Sequence, residues 1–246
     1  MQLTSVETLG QWSSYMLLLS HPSGNTFFRA AARAFHEAGL LQELDSGICW
    51  KSDSLLANFL PPSLAIQLRR RSFPEVPIAL QHDHPWRELS RLIVGGSFPW
   101  LIRHEQGPFS TDVVYQRFDR HVASRLPTLG GLGGVYAYED CALHTFKSAA
   151  RLGLLRLYDL PIGYWLAAQK IFQEERELLP EWACTLTGLN DTPAKLGRKD
   201  QELQLADLVI VPSEFVRSTL IDHNACRAPI VVVPFGSPPP LAFPAH

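Results

Sequence analysis

The stretch LADLVIVPSEFVRSTL, residues 205–220, is the one whose reading decides the fold. Its first half is a short run of apolar, partly β-branched residues. Its second half opens at Ser213 with a hydroxyl, continues with the carboxylate of Glu214, and then places apolar residues at helical spacing. This pattern predicts a buried strand turning directly into a helix. Ser213 is a natural N-cap, and Glu214 in the first turn gains from the helix dipole. That structural account of Glu214 is sufficient. A position at the carboxyl end of a strand also makes Ser213 and Glu214 candidates to line a cleft.

The same grammar extends outward in both directions. Upstream, YMLLLSHPSGNTFFRAAARAFHEAGL gives an apolar strand, a polar turn and a helix over about 25–38, with Asn25 as its cap and Gly39 just past its end. GGVYAYEDCALHTFKSAARLGL repeats the pattern, with a strand near 134–138 and a helix ending near Gly153. LLRLYDLPIGYW gives a strand near 155–158, a turn at Asp159 to Pro161 and a long amphipathic helix. PIVVVPFG closes with one more strand. Apolar strands alternating with helices predict an α/β fold with a Rossmann-like parallel sheet covered on both faces. The middle of the chain, 50–126, is mostly helical in pattern, with Ser110 or Thr111 as a cap for one helix. The expected organisation is a loosely held leader over 1–14, a single domain over 15–236 and a proline-rich linker or tail over 237–246.

Composition excludes several classes. The chain has 246 residues, 46% hydrophobic and 19% charged, with a formal net charge of -2. These values describe an ordinary globular protein and argue against a nucleic-acid partner, which needs a marked basic excess. The run Arg69-Arg70-Arg71 reads first as a solvated helix end, with contact to phosphate or an anionic membrane surface as the alternative. Cys49, Cys141, Cys184 and Cys226 form no C-x-x-C pair and predict reduced thiols. No secretory signal or membrane-spanning run is evident, so a cytoplasmic location is expected, with peripheral membrane attachment open. His82-Asp83-His84 has metal-capable side chains, but the following Pro85 makes it read as a capping turn rather than a metal site. No metalloprotease, esterase-elbow, P-loop or dinucleotide motif occurs, and no metal or cofactor is expected.

In an open parallel sheet, ligands bind beyond the carboxyl ends of the strands. Three turns put small or polar residues there. In the first, SHPSGN, residues 20–25, His21, Ser23, Gly24 and Asn25 are candidates to meet a phosphate; an ordinary tight turn with an N-cap is the equal alternative. His21 would either donate to a phosphate or sugar hydroxyl or bond to the backbone. In the second, Asp140 reads as the cap of the next helix and Glu139 as free to accept from sugar hydroxyls. His144, about one helical turn on, is expected to face the same cleft. The third is the Ser213-Glu214 turn. Tyr164, Trp165 and Trp100 would stack on sugar rings if exposed, although aromatic residues in apolar helices are more often core.

The quoted stretch followed by PIVVVPFGS resembles the end of the N-terminal domain of GT-B glycosyltransferases, family 4 in particular. SHPSGNTFFRAAARAFHEAGL, YEDCALHTFKSAARLG and LYDLPIGYW are similar to a bacterial subgroup of these enzymes. The resemblance spans Tyr15 to Pro238. It implies metal-independent transfer of a sugar from a nucleotide-sugar donor to an acceptor, usually with retention of configuration. It implies a donor diphosphate near Gly24, an acceptor side lined by Glu139, and Asp140 and His144 as catalytic candidates. Such enzymes carry a second, donor-binding domain beyond VVVPFG, so this chain is expected to be the acceptor-binding half, inactive alone or paired with a separate donor-domain chain. A non-catalytic binding module or scaffold of the same fold is the alternative. Self-association is expected if a docking face is exposed.

Overall fold

The computed structural model describes residues 16–51, 61–95 and 98–236, so the expected leader and tail lie outside the described residues. In chain order the strands and α-helices are β1 (Met16–His21), α1 (Thr26–Glu37), β2 (Leu41–Ser46), α2 (Pro62–Arg69), β3 (Gln81–Asp83), α3 (Pro85–Val94), α4 (Thr111–Arg125) and β4 (Leu132–Tyr138). There follow α5 (Leu143–Arg151), β5 (Leu155–Asp159), α6 (Trp165–Leu178), α7 (Pro193–Leu205), β6 (Leu208–Val211), α8 (Glu214–Asp222) and β7 (Ile230–Val232). The strands form one parallel sheet in the order β3-β2-β1-β4-β5-β6-β7. The order reverses between β1 and β4. At such a switch point neighbouring loops diverge and leave a crevice at the carboxyl edge.

The strand period of two sorts the core into two layers. Leu18, Val135, Ala137, Tyr158, Val209 and Val211 point to the face covered by α4, α5, α7 and α8, where they meet Phe118, Val122, Phe146, Leu203, Val216 and Leu220. Leu17, Leu19, Leu44 and Tyr136 point the other way, onto Phe28 and Ala32 of α1 and onto Phe73. The predicted caps form: Phe28 N–H donates to Asn25 Oδ1 (2.7 Å), Val113 N–H to Ser110 Oγ (3.3 Å) and Val216 N–H to Ser213 Oγ (3.2 Å). Gly39 takes the positive φ, +70°, that ends α1.

Two strands, β2 and β3, have no counterpart in the sequence reading. β2 is LQELDS, with every residue but Gln42 buried, Glu43 and Asp45 included. Its carboxylates are tolerated because Arg125 of α4 pairs with both. Burial pushes the Asp45 carboxyl up to about 7, against the pull of Arg125. β3 lies in the segment read as helical and contains His82 and Asp83, while His84 occupies the N-cap of α3 without a side-chain capping bond. Asp83 accepts from Cys49 N–H (3.3 Å), and His82 lies 3.4 Å from Glu43. Asp83 therefore ties β3 to the loop after β2, and His84 takes the expected capping position at the start of α3 through its backbone alone, its N–H donating to the Ser46 carbonyl (3.1 Å).

Candidate functional site

The carboxyl ends of β1 and β4 flank the switch point. His21 ends β1, is 1% exposed and packs its ring between Tyr138 (centroids 4.2 Å) and Phe28 (4.8 Å). Its Nδ1 accepts from the backbone N–H groups of Ser23 (3.1 Å) and Gly24 (2.8 Å). Burial lowers the imidazole to about 3, so the ring is neutral at physiological pH. With Nδ1 accepting, the single proton sits on Nε2, beside the Asn25 amide nitrogen at 3.2 Å. In this tautomer His21 is a donor and not a base. The two N–H groups expected to meet a phosphate are thus already bonded, and Asn25 Oδ1 is taken by Phe28. Gly24 is required for two local reasons: φ is +62°, and a Cβ would lie 2.5 Å from Phe73 Cζ. Ser23 Oγ lies 3.3 Å from the hydroxyl of Tyr115.

The second turn is held from a distance. Asp140 has φ +66°, an αL conformation that an aspartate adopts more readily than most residues. It does not cap α5. Glu202 of α7, fully buried, accepts from the N–H groups of Asp140 (3.0 Å), Ala142 (3.1 Å) and Leu143 (3.2 Å) and from the Tyr158 hydroxyl (2.8 Å). Asp119 of α4 accepts from His144 N–H (2.7 Å) and Thr145 N–H (2.8 Å). Two remote carboxylates thus occupy the place where an anionic ligand would meet the N-terminus of α5. The His144 ring turns toward α4, where its Nε2 accepts from Arg120 Nε at 3.3 Å.

Glu139 and Asp140 face two cations of α7. Lys199 Nζ lies 2.6 Å from Glu139 Oε1 and 3.4 Å from Asp140 Oδ2, and Arg198 lies 3.4 Å from Asp140. Burial pushes the Glu139 carboxyl up to about 7 against the attraction of Lys199. Burial also opposes the Lys199 charge, but Glu139 and Asp140 outweigh it and hold the ammonium above its ordinary range. On the opposite face of the sheet, at the end of β5, burial raises Asp159 to about 6, and the Tyr136 hydroxyl donates to it at 2.6 Å.

Lys199 also lines a cavity of about 350 Å³. The walls come from the loop after β5 (Ile162, Gly163), from α6 (Trp165, Ala168, Ile171, Phe172) and from the first turns of α7 and α8 (Leu196, Phe215). The lining is overwhelmingly apolar, with Asp191 the other charged group. Trp165 therefore does line a concave site. Its indole N–H donates to Asp200 (2.7 Å), which fixes the ring, and Tyr164 is buried with its hydroxyl on the same carboxylate (2.8 Å). Ser213 is spent as the cap of α8, while Glu214 is 73% exposed and pairs with Arg217 at 3.1 Å.

Arg198, Lys199 and Glu202 are absent from the sequence-based candidates. The available signal was spacing: Leu196, Lys199 and Leu203 stand at i, i+3 and i+7, so Lys199 sits within the apolar stripe of α7. His104, Glu105 and Asp191 bring metal-capable atoms within 4.8 Å of one another. A cation already serves this cluster: Lys195 Nζ lies 3.0 Å from both Asp112 and Asp191. Glu105 also accepts from Thr192 N–H at 2.8 Å, so the group clasps the loop before α4 to the start of α7.

No protein-family model matches the sequence, and no curated protein does. Among solved structures, the crystal structure of TcCGT1 in complex with UDP matches with a TM-score of 0.51 and 13% identity, over 89% of this chain and 51% of that one. A UDP-glucosyltransferase from Polygonum tinctorium capable of glucosylating indoxyl, in a complex with 3,4-dichloroaniline, matches at 14% identity over 89% of this chain and 52% of that one, with a TM-score of only 0.39. The chain spans about half the length of the solved structures it matches. What it shares with TcCGT1 is the fold, a glycosyltransferase-like α/β arrangement with its parallel sheet between helices. Among the described residues no helix is long and apolar enough to cross a membrane.

Proposed function

We propose that this chain is the acceptor-binding half of a glycosyltransferase, the N-terminal domain of a GT-B enzyme related to family 4. The observation that carries the reading is the apolar cavity whose lining includes Lys199, the ammonium of which is paired with the buried Glu139. An acceptor with a flat apolar body would fill the space between Trp165, Phe172 and Phe215. Its hydroxyl would then lie toward Lys199 and Glu139. A carboxyl raised to about 7 exchanges a proton near neutral pH, which suits a group that takes a proton from an attacking hydroxyl. Glu139 is therefore favoured as the acid–base group over Asp140, which holds Lys199 and Arg198, and over His144, which faces α4. On the same reading the donor is a nucleotide-sugar, transfer is metal-independent and retaining, and the chain acts in the cytoplasm with a donor-binding domain or chain as partner. A diphosphate at His21, Ser23, Gly24 and Asn25 would have to displace the histidine from two N–H groups, so donor contacts are assigned mainly to that partner.

The test is calorimetric titration with a naphthol as probe acceptor, comparing the chain with Ala168→Trp, which fills the cavity, and Glu139→Gln. Saturable binding weakened at least about tenfold by Ala168→Trp is expected. Binding that is absent, or indifferent to the filled cavity, would overturn the acceptor assignment. One observation favours a second reading, a non-catalytic scaffold of the same fold: the N–H groups of Ser23 and Gly24 and those at the start of α5 are all satisfied internally. Sugar transfer gained when a donor-binding chain is added would separate the two readings, because a scaffold gains none.

A further inference from the structure

Helix α3 is built inside out. Glu88, 1% exposed, lies on its inner face, held by Arg71 (2.6 Å) and Arg91 (2.7 Å). Its outer face carries Trp86 and Ile93, seven residues apart and 74% and 60% exposed. Between them Ser90 turns its hydroxyl back to the Trp86 carbonyl (2.6 Å), so the stripe presents little polarity. A short 3-10 helix, Pro99–Ile102, packs on the end of α3; it exposes Trp100 at 67%, and Phe98 just before it is 50% exposed. A surface this apolar on a chain of net charge -2 calls for an occupant.

The charges beside it say which. Arg87, Arg103 and Arg117 have no acidic partner among the described residues. Arg87 and Arg117 are close enough that, after burial, the second guanidinium is what lowers the first. A two-fold contact with a second copy would press these like charges together. Tryptophans beside unpaired arginines match the boundary of an anionic bilayer, where indole rings sit at headgroup level and guanidinium groups meet phosphate. From the outer face of α3, the short helix after it and these arginines, we infer that this surface docks on an anionic membrane. The patch lies on the carboxyl side of the sheet, since Glu88 Cβ sits beside Gly47 at the end of β2, which in turn bonds to Pro22 of the β1 turn (3.1 Å). The inference does not rest on the acceptor reading.

The test is flotation of the full chain with vesicles of phosphatidylcholine alone or with about one-third phosphatidylglycerol. Binding to the anionic vesicles is expected to fall about tenfold in the double variant Trp86→Ser/Trp100→Ser and in Arg87→Glu/Arg103→Glu, and to weaken with salt. Trp182→Ser, which removes an exposed tryptophan elsewhere, should leave it unchanged. Trp86, Trp100 and Arg103 are exposed and Arg87 is half-buried, and an unchanged circular dichroism melt would show that the fold is retained. Equal binding to neutral vesicles, no binding, or binding insensitive to the tryptophan pair would overturn the inference. So would a wild-type dimer that Trp86→Ser/Trp100→Ser converts to monomer without any vesicle binding, which would assign the face to a second copy.

Discussion

The turn from β6 into α8 and the turn from β4 into α5 do the same structural job with different residues. At the first, Ser213 caps the helix that begins with the next residue, and Glu214 extends into solvent. At the second, no local side chain caps the helix. Glu202 and Asp119, from α7 and α4, reach in to hold five backbone N–H groups between them. A local cap fixes only its own helix. A remote cap makes the start of α5 depend on the packing of two other helices, and it leaves Glu139 and Asp140 free to engage Lys199 and Arg198.

That contrast is most easily broken at Glu202. Glu202→Ala would leave three backbone N–H groups, two of them fully buried, and the Tyr158 hydroxyl without their acceptor, at a cost of about 3–5 kcal/mol. Chemical denaturation should show the loss as a lower midpoint with an unchanged slope. A loss below about 1 kcal/mol would mean that water or a neighbour replaces the carboxylate, and that the remote cap is ornamental.

A second difference between the two edges lies in pH. Asp159, at the end of β5, has its carboxyl raised to about 6 by burial. Below about pH 4 it is protonated both folded and unfolded, and it contributes no pH dependence. As pH rises from about 4 to about 6 the unfolded chain releases the proton while the folded chain keeps it, so stability falls, and above that range the loss is constant. The shift of about two units corresponds to about 3 kcal/mol. Asp159→Asn, whose amide oxygen can still accept from Tyr136, should therefore raise the melting temperature at about pH 7.5 and change it little at about pH 4. An equal effect at both values would mean that burial does not hold the proton on Asp159.

The same contrast explains what could be read in the sequence. The strands β1, β4, β5, β6 and β7 are apolar runs, and Asn25, Ser110 and Ser213 cap helices that start immediately after them, so periodicity and local chemistry sufficed. β2 was invisible because LQELDS pairs its acids with Arg125, 82 and 80 residues away for Glu43 and Asp45. The site suffered in the same way: Glu139 is recognisable as a candidate, while nothing local marks Lys199, 60 residues on, as its partner. Spacing reports which face a residue occupies but not which distant charge it meets.

The local cap itself gives a smaller effect. Ser213→Ala removes one bond, from Val216 N–H, and should cost about 1 kcal/mol. The binding of a probe acceptor should survive, since Ser213 does not line the cavity. A cost comparable with that of Glu202→Ala would mean that the two turns are closed by equally strong devices.

The smallest effect is expected at Glu214, and it sharpens the comparison most directly, because Glu139 and Glu214 both lie in the turns that follow β4 and β6, one buried and one in water. Glu214 has a partner three residues away and water on most sides, so Arg217 is screened and the helix dipole contributes about a few tenths of a kcal/mol. Glu214→Gln should shift the melting temperature slightly, and the shift should shrink as salt is raised. Glu139 has Lys199 at 2.6 Å with both side chains at 8% exposure, where salt does not penetrate. Glu139→Gln should therefore change stability by the same amount at low and high salt. If its effect instead faded with salt as that of Glu214→Gln does, the Glu139–Lys199 pair would be open to water, and the raised carboxyl on which the proposed acid–base role depends would lose its physical basis.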